Sequence, residues 1–289
     1  MTALVTEVAT APAASIETPS GKRRGGENFP VGSWLIRRDL RAHVHVFYRF
    51  ARAADDIADN PALTAAEKIR RLDLMAAALD GAAGIAAPAA AAMHESLAAT
   101  GTTAQHCHDL LRAFRLDAEK RRYRDWDDLM EYCRYSAAPV GRYVLDLHDE
   151  SRTAWPASDA LCAALQVLNH LQDCGADYVR LDRVYLPQDD LAAAGIGVAA
   201  LAADRVCPGL RLVIDGMLDR TAALVERAHL LPPGVAAWGL RCETAVIVAL
   251  AARLVRRLRR GDPLAERVGL GKADFLAALP RGVARGMRR

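Results

Sequence analysis

Apolar residues recur at intervals of three and four from about residue 33 to residue 279, and alternating β-branched runs are almost absent. The spacing predicts helices over 33–59 with a break near Arg38, then over 64–80, 88–99, 103–120, 126–148, 158–180, 209–229 and 235–260, with a short one near 272–279. Breakers fall between these blocks: Pro61, Gly81 to Gly84, Trp155-Pro156, Leu186-Pro187, Cys207-Pro208 and Pro232-Pro233-Gly234. Thr64 followed by Glu67 has the form of a capping box. The pattern is all-α, and no linker divides it. The expected organisation is a flexible tail over 1–26, one helical domain over 27–280 and a basic tail over 281–289.

Two helices carry polar stripes where their surroundings are apolar. On the first, Tyr48, Arg52, Asp55 and Asp59 advance by four, three and four, with Asp56 beside them, among Val44, Phe47, Phe50 and Ile57. On the second, Gln166, Asn169, Asp173 and Asp177 form a narrow line framed by Leu161, Leu165, Leu168 and Leu171. Aspartates at i and i+4 repel, which weakens a helix by a few tenths of a kcal/mol. Solvated charges near helix ends would explain either pair alone. Both pairs on otherwise apolar helices suggest a cavity wall with a cation between them. Carboxylates without His or Cys suit a hard cation, and Mg²⁺ is usually held by a few carboxylates plus substrate phosphates, so a diphosphate is the natural guest. Arg52 would either contact a phosphate oxygen or balance the acidic stripe.

The 289 residues are 52% hydrophobic and 25% charged, enough for a sizeable core and unlike a disordered chain. A net charge of +3 is too small for a nucleic-acid footprint. Positive charge gathers at Arg256-Arg257-Leu258-Arg259-Arg260 and over 281–289, where it would form either a solvated face or a peripheral contact with an anionic membrane. Six scattered cysteines without a CxxC pair read as reduced thiols of a cytoplasmic protein, and His106-Cys107-His108 lacks a second ligand pair for zinc. The longest apolar run, Thr244 to Leu254, is too short to span a bilayer. No Gly-rich dinucleotide fingerprint is present, so no NADPH is expected.

Three segments, in order, resemble the squalene and phytoene synthases, which join or process prenyl diphosphates head to head. Phe47 to Asp59 looks like the family's first aspartate-rich motif, Tyr132 to Gly141 like its tyrosine-led segment of small residues, and Leu161 to Pro187 like its second signature. The resemblance implies an all-α isoprenoid synthase fold, a helical bundle around a central cavity. Within it, Asp55, Asp56, Asp59, Asp173 and Asp177 would be Mg²⁺ ligands or their neighbours. Tyr48, Arg52, Gln166 and Asn169 would contact the diphosphate or its metals, Ser136, Ala137, Ala138 and Gly141 would line the hydrocarbon pocket, and the aromatic faces of Tyr48, Phe50, Tyr132 and Tyr135 would either stabilise positive charge in the bound substrate or pack the core. Asp117 stands where the family often has an acidic residue.

The chain also departs from the common pattern. Gln172 precedes Asp173 where many members have arginine. Pro139 should kink the 126–148 helix, at a cost of about 3 kcal/mol or more for the lost hydrogen bond. Glu27 to Val31 replaces a serine- and lysine-rich stretch. Glu27 to Val31, Ala51 to Asp59, Tyr132 to Arg134 and Leu171 to Cys174 together resemble the bacterial hydroxysqualene synthase subgroup of the hopanoid pathway, which implies ionisation of presqualene diphosphate and capture of water. Condensation of two farnesyl diphosphates or synthesis of phytoene is the alternative, and a non-catalytic assembly or lipid-binding relative is the more distant one.

Overall fold

A computed structural model describes residues 15–17, 35–271, 273–278 and 280. In chain order the helices are α1 (Arg41–Ala58), α2 (Ala65–Leu79), α3 (Pro88–Thr100), α4 (Gln105–Glu119), α5 (Trp126–Ser136), α6 (Ala138–Leu147), α7 (Trp155–Gln172), α8 (Cys174–Leu181), α9 (Gln188–Ala193), α10 (Pro208–Ala228), α11 (Leu231–Gly234) and α12 (Trp238–Leu258). A further helical stretch covers 273–278. Among the described residues there is no sheet, only one parallel bridge between Arg122 and Val184. The reading as all-α holds. The expectations for 27–31 and for the basic tail over 281–289 lie outside the described residues.

Two cores meet at α6. Phe47, Phe50, Ile57, Leu72, Met75, Met93 and Leu110 pack α1 to α4 together, and Tyr143 and Leu147 of α6 join them. Phe47 and Tyr143 stack with centroids 4.0 Å apart. The second core surrounds α7, which packs against α6, α10, α12 and α5 through residues such as Leu161, Val167, Leu168 and Leu171.

Three departures from the expected helices have local causes. The first helix begins at Arg41 because the backbone makes a tighter turn before it: Leu40 N–H bonds to the Arg37 carbonyl, and Arg41 Nε takes the Ile36 carbonyl that a continuing helix would use. The 126–148 helix is two helices, parted at Ala137 (φ −119°) two residues before Pro139, whose ring supplies no N–H. The 158–180 helix begins earlier, at Trp155, and breaks at Asp173 (φ −104°, ψ 7°). Asp173 and Asp177 therefore straddle a junction, with Asp177 N–H still bonded to the Asp173 carbonyl at 2.8 Å.

The described part of the expected N-terminal tail is anchored. Ile16 N–H bonds to the Ala86 carbonyl at 3.1 Å, and Glu17 Oε1 accepts from Ala89 N–H at 2.8 Å and from Ala90 N–H at 3.4 Å, capping the exposed donors of α3. At the other end of the fold, the buried Glu150 carboxylate accepts the N–H groups of Ala236 and Ala237, both at 2.7 Å, and so fixes the start of α12. Thr64 caps α2 as its sequence suggests, accepting from Glu67 N–H, but the Glu67 side chain turns to Arg70 and Arg71.

Two of these contacts carry predictions. His148 donates from Nδ1 to the Val144 carbonyl at 2.8 Å, while its buried Nε2 has no hydrogen-bond partner among the described residues. Burial therefore holds its pKa below the ordinary value of 6.5. The unfolded chain binds that proton more readily, so stability should fall as pH drops through about 6.5, and His148→Asn should flatten the dependence in pH-resolved thermal melts. Gly141 sits where α6 packs tightly on α7. A Cβ there would overlap Ser158 Oγ and lie 2.7 Å from Cys162 Sγ. Gly141→Ala should destabilise the fold by about 1–3 kcal/mol, read from denaturant midpoints.

Candidate active site

The bend at Ala137 and the close approach at Gly141 shape one wall of a cavity of about 310 Å³. Ser136, Ala137, Val140, Gly141, Leu161, Cys162 and Leu165 line it, together with Val44 of α1, Leu231 of α11 and Leu240 and Ile247 of α12. The lining is mostly apolar, as small-molecule sites usually are. Ser136 Oγ is buried and has no hydrogen-bond partner among the described residues. Of the residues expected to line a pocket, Ser136, Ala137, Gly141, Gln166 and Asn169 do so, whereas Ala138 is buried in the packing beside it.

Both acidic stripes grow out of this cavity. On α7, Gln166 and Asn169 are in its wall, and Asp173 follows Asn169 by one helical turn. On α1, Val44 is in the wall, and Tyr48, Arg52 and Asp55 follow at steps of four, four and three on the same face. Tyr48, Arg52, Asp55 and Asp56 are half-buried, Asp173 is exposed and Asp177 is intermediate. Arg52 ion-pairs with Asp55 at 3.3 Å and Asp56 at 3.0 Å. Of the two roles open to it, the structure thus displays the balancing one.

Asp59 has a different environment from Asp55. It caps α1, is 4% exposed, and its Oδ1 accepts from Arg183 Nη1 at 3.1 Å. Arg183 is equally buried, and its Nη2 donates to the Asp117 backbone carbonyl at 2.9 Å. Asp117 in turn accepts from the Tyr132 hydroxyl at 2.7 Å. Burial lowers the Arg183 pKa, but Asp117, Tyr185 and Asp59 outweigh it and raise the value, so the guanidinium stays charged. Lys68 stands close enough for Asp59 to favour its charge, although burial, the larger influence, pulls its pKa down. Arg183 N–H also bonds to the Asp177 carbonyl at 3.2 Å. One side chain therefore ties the end of the first acidic stripe to the segment that follows the second, across 124 residues of sequence.

Other expected site residues stand apart from the cavity wall. Tyr132 belongs to the charge network, beside Tyr123 and Tyr185. Tyr135 lies under the Arg112 guanidinium, 3.8 Å from its ring centroid. His170 is buried and stacked on Tyr185. Gln172 donates its amide to the Val268 carbonyl at 2.6 Å and so fastens the end of α7 to the segment after α12. Arg183 falls within the signature segment Leu161 to Pro187, but its buried role depends on a partner that no local pattern points to.

The metal-donor side chains on the two acidic stripes are carboxylates without imidazole or thiolate, the set a hard cation prefers. Among the described residues, no group of three or more His, Cys, Asp or Glu side chains is placed to hold a metal by itself. Such a set suits an ion that takes its remaining ligands from a bound phosphate. All six cysteines are free thiols, and no helix of the described residues is long and apolar enough to cross a membrane.

An all-α bundle with two acidic helix ends at one apolar cavity is the architecture of the isoprenoid synthases, and comparison with known proteins narrows the class. Residues 22–274 match the squalene/phytoene synthase family, and the chain belongs to it as one of its enzymes. It is 48% identical over 262 residues to the hydroxysqualene synthase of Rhodopseudomonas palustris, covering 91% of this chain and 89% of the relative. Identity to the hydroxysqualene synthase of Zymomonas mobilis is 44% over 259 residues, covering 89% and 87%. The solved squalene synthase HpnC of Alicyclobacillus acidocaldarius superposes with a TM-score of 0.70 at 32% identity, over 80% of this chain and 87% of that one. A dehydrosqualene synthase bound to ligand gives 0.73 at 20% identity, over 86% and 88%, a likeness of fold alone.

Proposed function

We propose that the enzyme converts presqualene diphosphate to hydroxysqualene by ionising the diphosphate and capturing water. The observation that carries this reading is an apolar cavity walled in part by the two helices that carry the acidic stripes, through Val44 of α1 and through Gln166 and Asn169 of α7, with the aspartates further along each helix. The relatives named hydroxysqualene synthase, at 44% and 48% identity, favour this member of the family's chemistry over condensation.

Asp55, Asp56, Asp173 and Asp177 would hold Mg²⁺ together with diphosphate oxygens, and the bound ion supplies Lewis-acid stabilisation to the leaving group. Asp59 is assigned a positioning role through Arg183, because its Oδ1 is committed to that guanidinium. Arg52 would turn from its carboxylates toward a phosphate oxygen, a geometry its planar fork favours. The apolar wall keeps bulk water from the carbocation left behind. Ser136 Oγ, Gln166 and Asn169, with Ser158, Glu243 and Thr244, are the polar side chains of that wall, from which a single water would be held. No nucleophile from the protein and no NADPH are required. Release of an apolar alcohol favours peripheral contact with the inner membrane face.

The test is to supply presqualene diphosphate and farnesyl diphosphate separately, with Mg²⁺ and without NADPH, and to identify products by mass spectrometry. Hydroxysqualene from presqualene diphosphate is expected. Consumption of farnesyl diphosphate with presqualene diphosphate left intact would establish condensation instead.

A further inference from the structure

The described surface contains a second concavity, larger and of opposite character. Arg253, Arg256, Arg257 and Arg260 of α12 and its end, with Arg267 from the segment beyond, line a cleft of about 650 Å³. It shares no lining residue with the apolar cavity. Only Glu266 and Asp274 oppose the five arginines, which leaves the cleft strongly positive.

The cleft is organised from beneath. The Asp274 side chain is 1% exposed, pairs with Arg253 Nε and with Arg257 Nη2 at 2.7 Å, and accepts Gly271 N–H at 2.8 Å. Its pKa is held down: burial pushes it up, but the Gly271 hydrogen bond and the two arginines outweigh that. A buried carboxylate thus fixes two guanidinium groups in the floor. The exposed Arg256, Arg260 and Arg267 have no carboxylate ion-pair partner among the described residues. Solvating three unneutralised guanidinium groups on a flat face would need no such foundation. A concave site with two oriented forks and three more converging on it matches the oxygens of a phosphate group, which arginine binds through paired N–H donors. Enclosure by low-dielectric walls strengthens the field there.

We propose that this cleft, none of whose residues lines the apolar cavity, binds a phosphate-bearing anion of its own. Its source is either a phospholipid headgroup or a soluble phosphate ester. The proposal does not rest on the reaction assigned above, although the cleft adjoins that site: its Val268 carbonyl accepts the amide of Gln172, the residue before Asp173.

The test uses the full chain, the triple variant Arg256→Gln, Arg260→Gln and Arg267→Gln, and a variant with Arg281, Arg285, Arg288 and Arg289 changed to Gln. The second variant separates the cleft from the basic C-terminus. Glycerol 3-phosphate binding is measured by calorimetry, and co-sedimentation is measured with phosphatidylcholine vesicles with and without phosphatidylglycerol. In at least one arm the wild type and the C-terminal variant should bind, and the triple variant should bind on the order of 100-fold more weakly, from a roughly five-fold loss per arginine. Binding confined to phosphatidylglycerol vesicles identifies a headgroup, and binding of glycerol 3-phosphate alone identifies a soluble ester. Equal binding by the wild type and the triple variant in both arms, or no binding by the wild type in either, overturns the proposal. Turnover by the triple variant should match the wild type, which shows that it has folded.

Discussion

Asp173→Asn is expected to lower kcat by about 10³-fold while leaving the thermal midpoint unchanged, the magnitude typical of removing one electrostatic contact to a developing charge. Asp173 is exposed at the junction of α7 and α8, one turn beyond the cavity-lining Asn169. The amide has the same shape, so packing is preserved and a surface change of this kind moves stability by no more than about 0.5 kcal/mol. The charge that would neutralise a cation is removed. Asp182→Asn is the matched control, because Asp182 is also exposed and is paired with Arg122 away from the stripe. Steady-state kinetics and a melt on both variants separate the outcomes. Equal kcat in the two variants would remove Asp173 from the diphosphate end.

The second large effect concerns stability. Arg183→Met should destabilise the fold by about 3–5 kcal/mol, because it leaves the Asp59 and Asp117 carboxylates buried without their guanidinium. For a chain of this size the thermal midpoint would fall by roughly 6–20 °C. Pairing the change with Asp59→Asn should recover part of the loss, since the double variant no longer buries an unmatched charge there. A midpoint within 2 °C of wild type, about the least that 1 kcal/mol would produce, would mean that the Asp59–Arg183 pair is not the tie between the two acidic segments.

The contrast between these residues shows what the sequence could reveal. Tyr48, Arg52, Asp55, Gln166, Asn169 and Asp173 stand at helical spacing among apolar neighbours, so local periodicity alone places them on one stripe of each helix, of which Gln166 and Asn169 reach the cavity wall. Pro139 announces its own helix break, because a missing N–H is a property of one residue. The break at Asp173 has no such mark. Helical periodicity runs through it, and the path of α8 is set by tertiary contact, with Gly175 so close to its neighbours that a Cβ would lie 2.7 Å from Leu264 Cδ2 and 3.2 Å from the Leu201 carbonyl. Asp59 was equally opaque. By spacing it matches Asp55, and only the arrival of Arg183 from a distant segment shows that Asp59 stands in a buried ion pair.

Gln172 illustrates a different limit. From sequence it read as a cation missing from the diphosphate site. Its amide also carries a task an arginine there would have to perform differently, holding Val268 and the segment after α12 against the end of α7. A substitution beside a functional motif can thus serve packing and chemistry together, and only the three-dimensional partner separates the two. The anchored Ser15 to Glu17 make the same point for the N-terminus, where composition suggested a tail and a single glutamate caps α3.

Water capture at the end of an apolar cavity is tested most directly by turning over presqualene diphosphate in water labelled with heavy oxygen and reading the product mass. Hydroxysqualene with the heavy isotope in its hydroxyl group is the expected result. Unreacted presqualene diphosphate under conditions in which farnesyl diphosphate is consumed, or a hydroxyl group without the label, would contradict it.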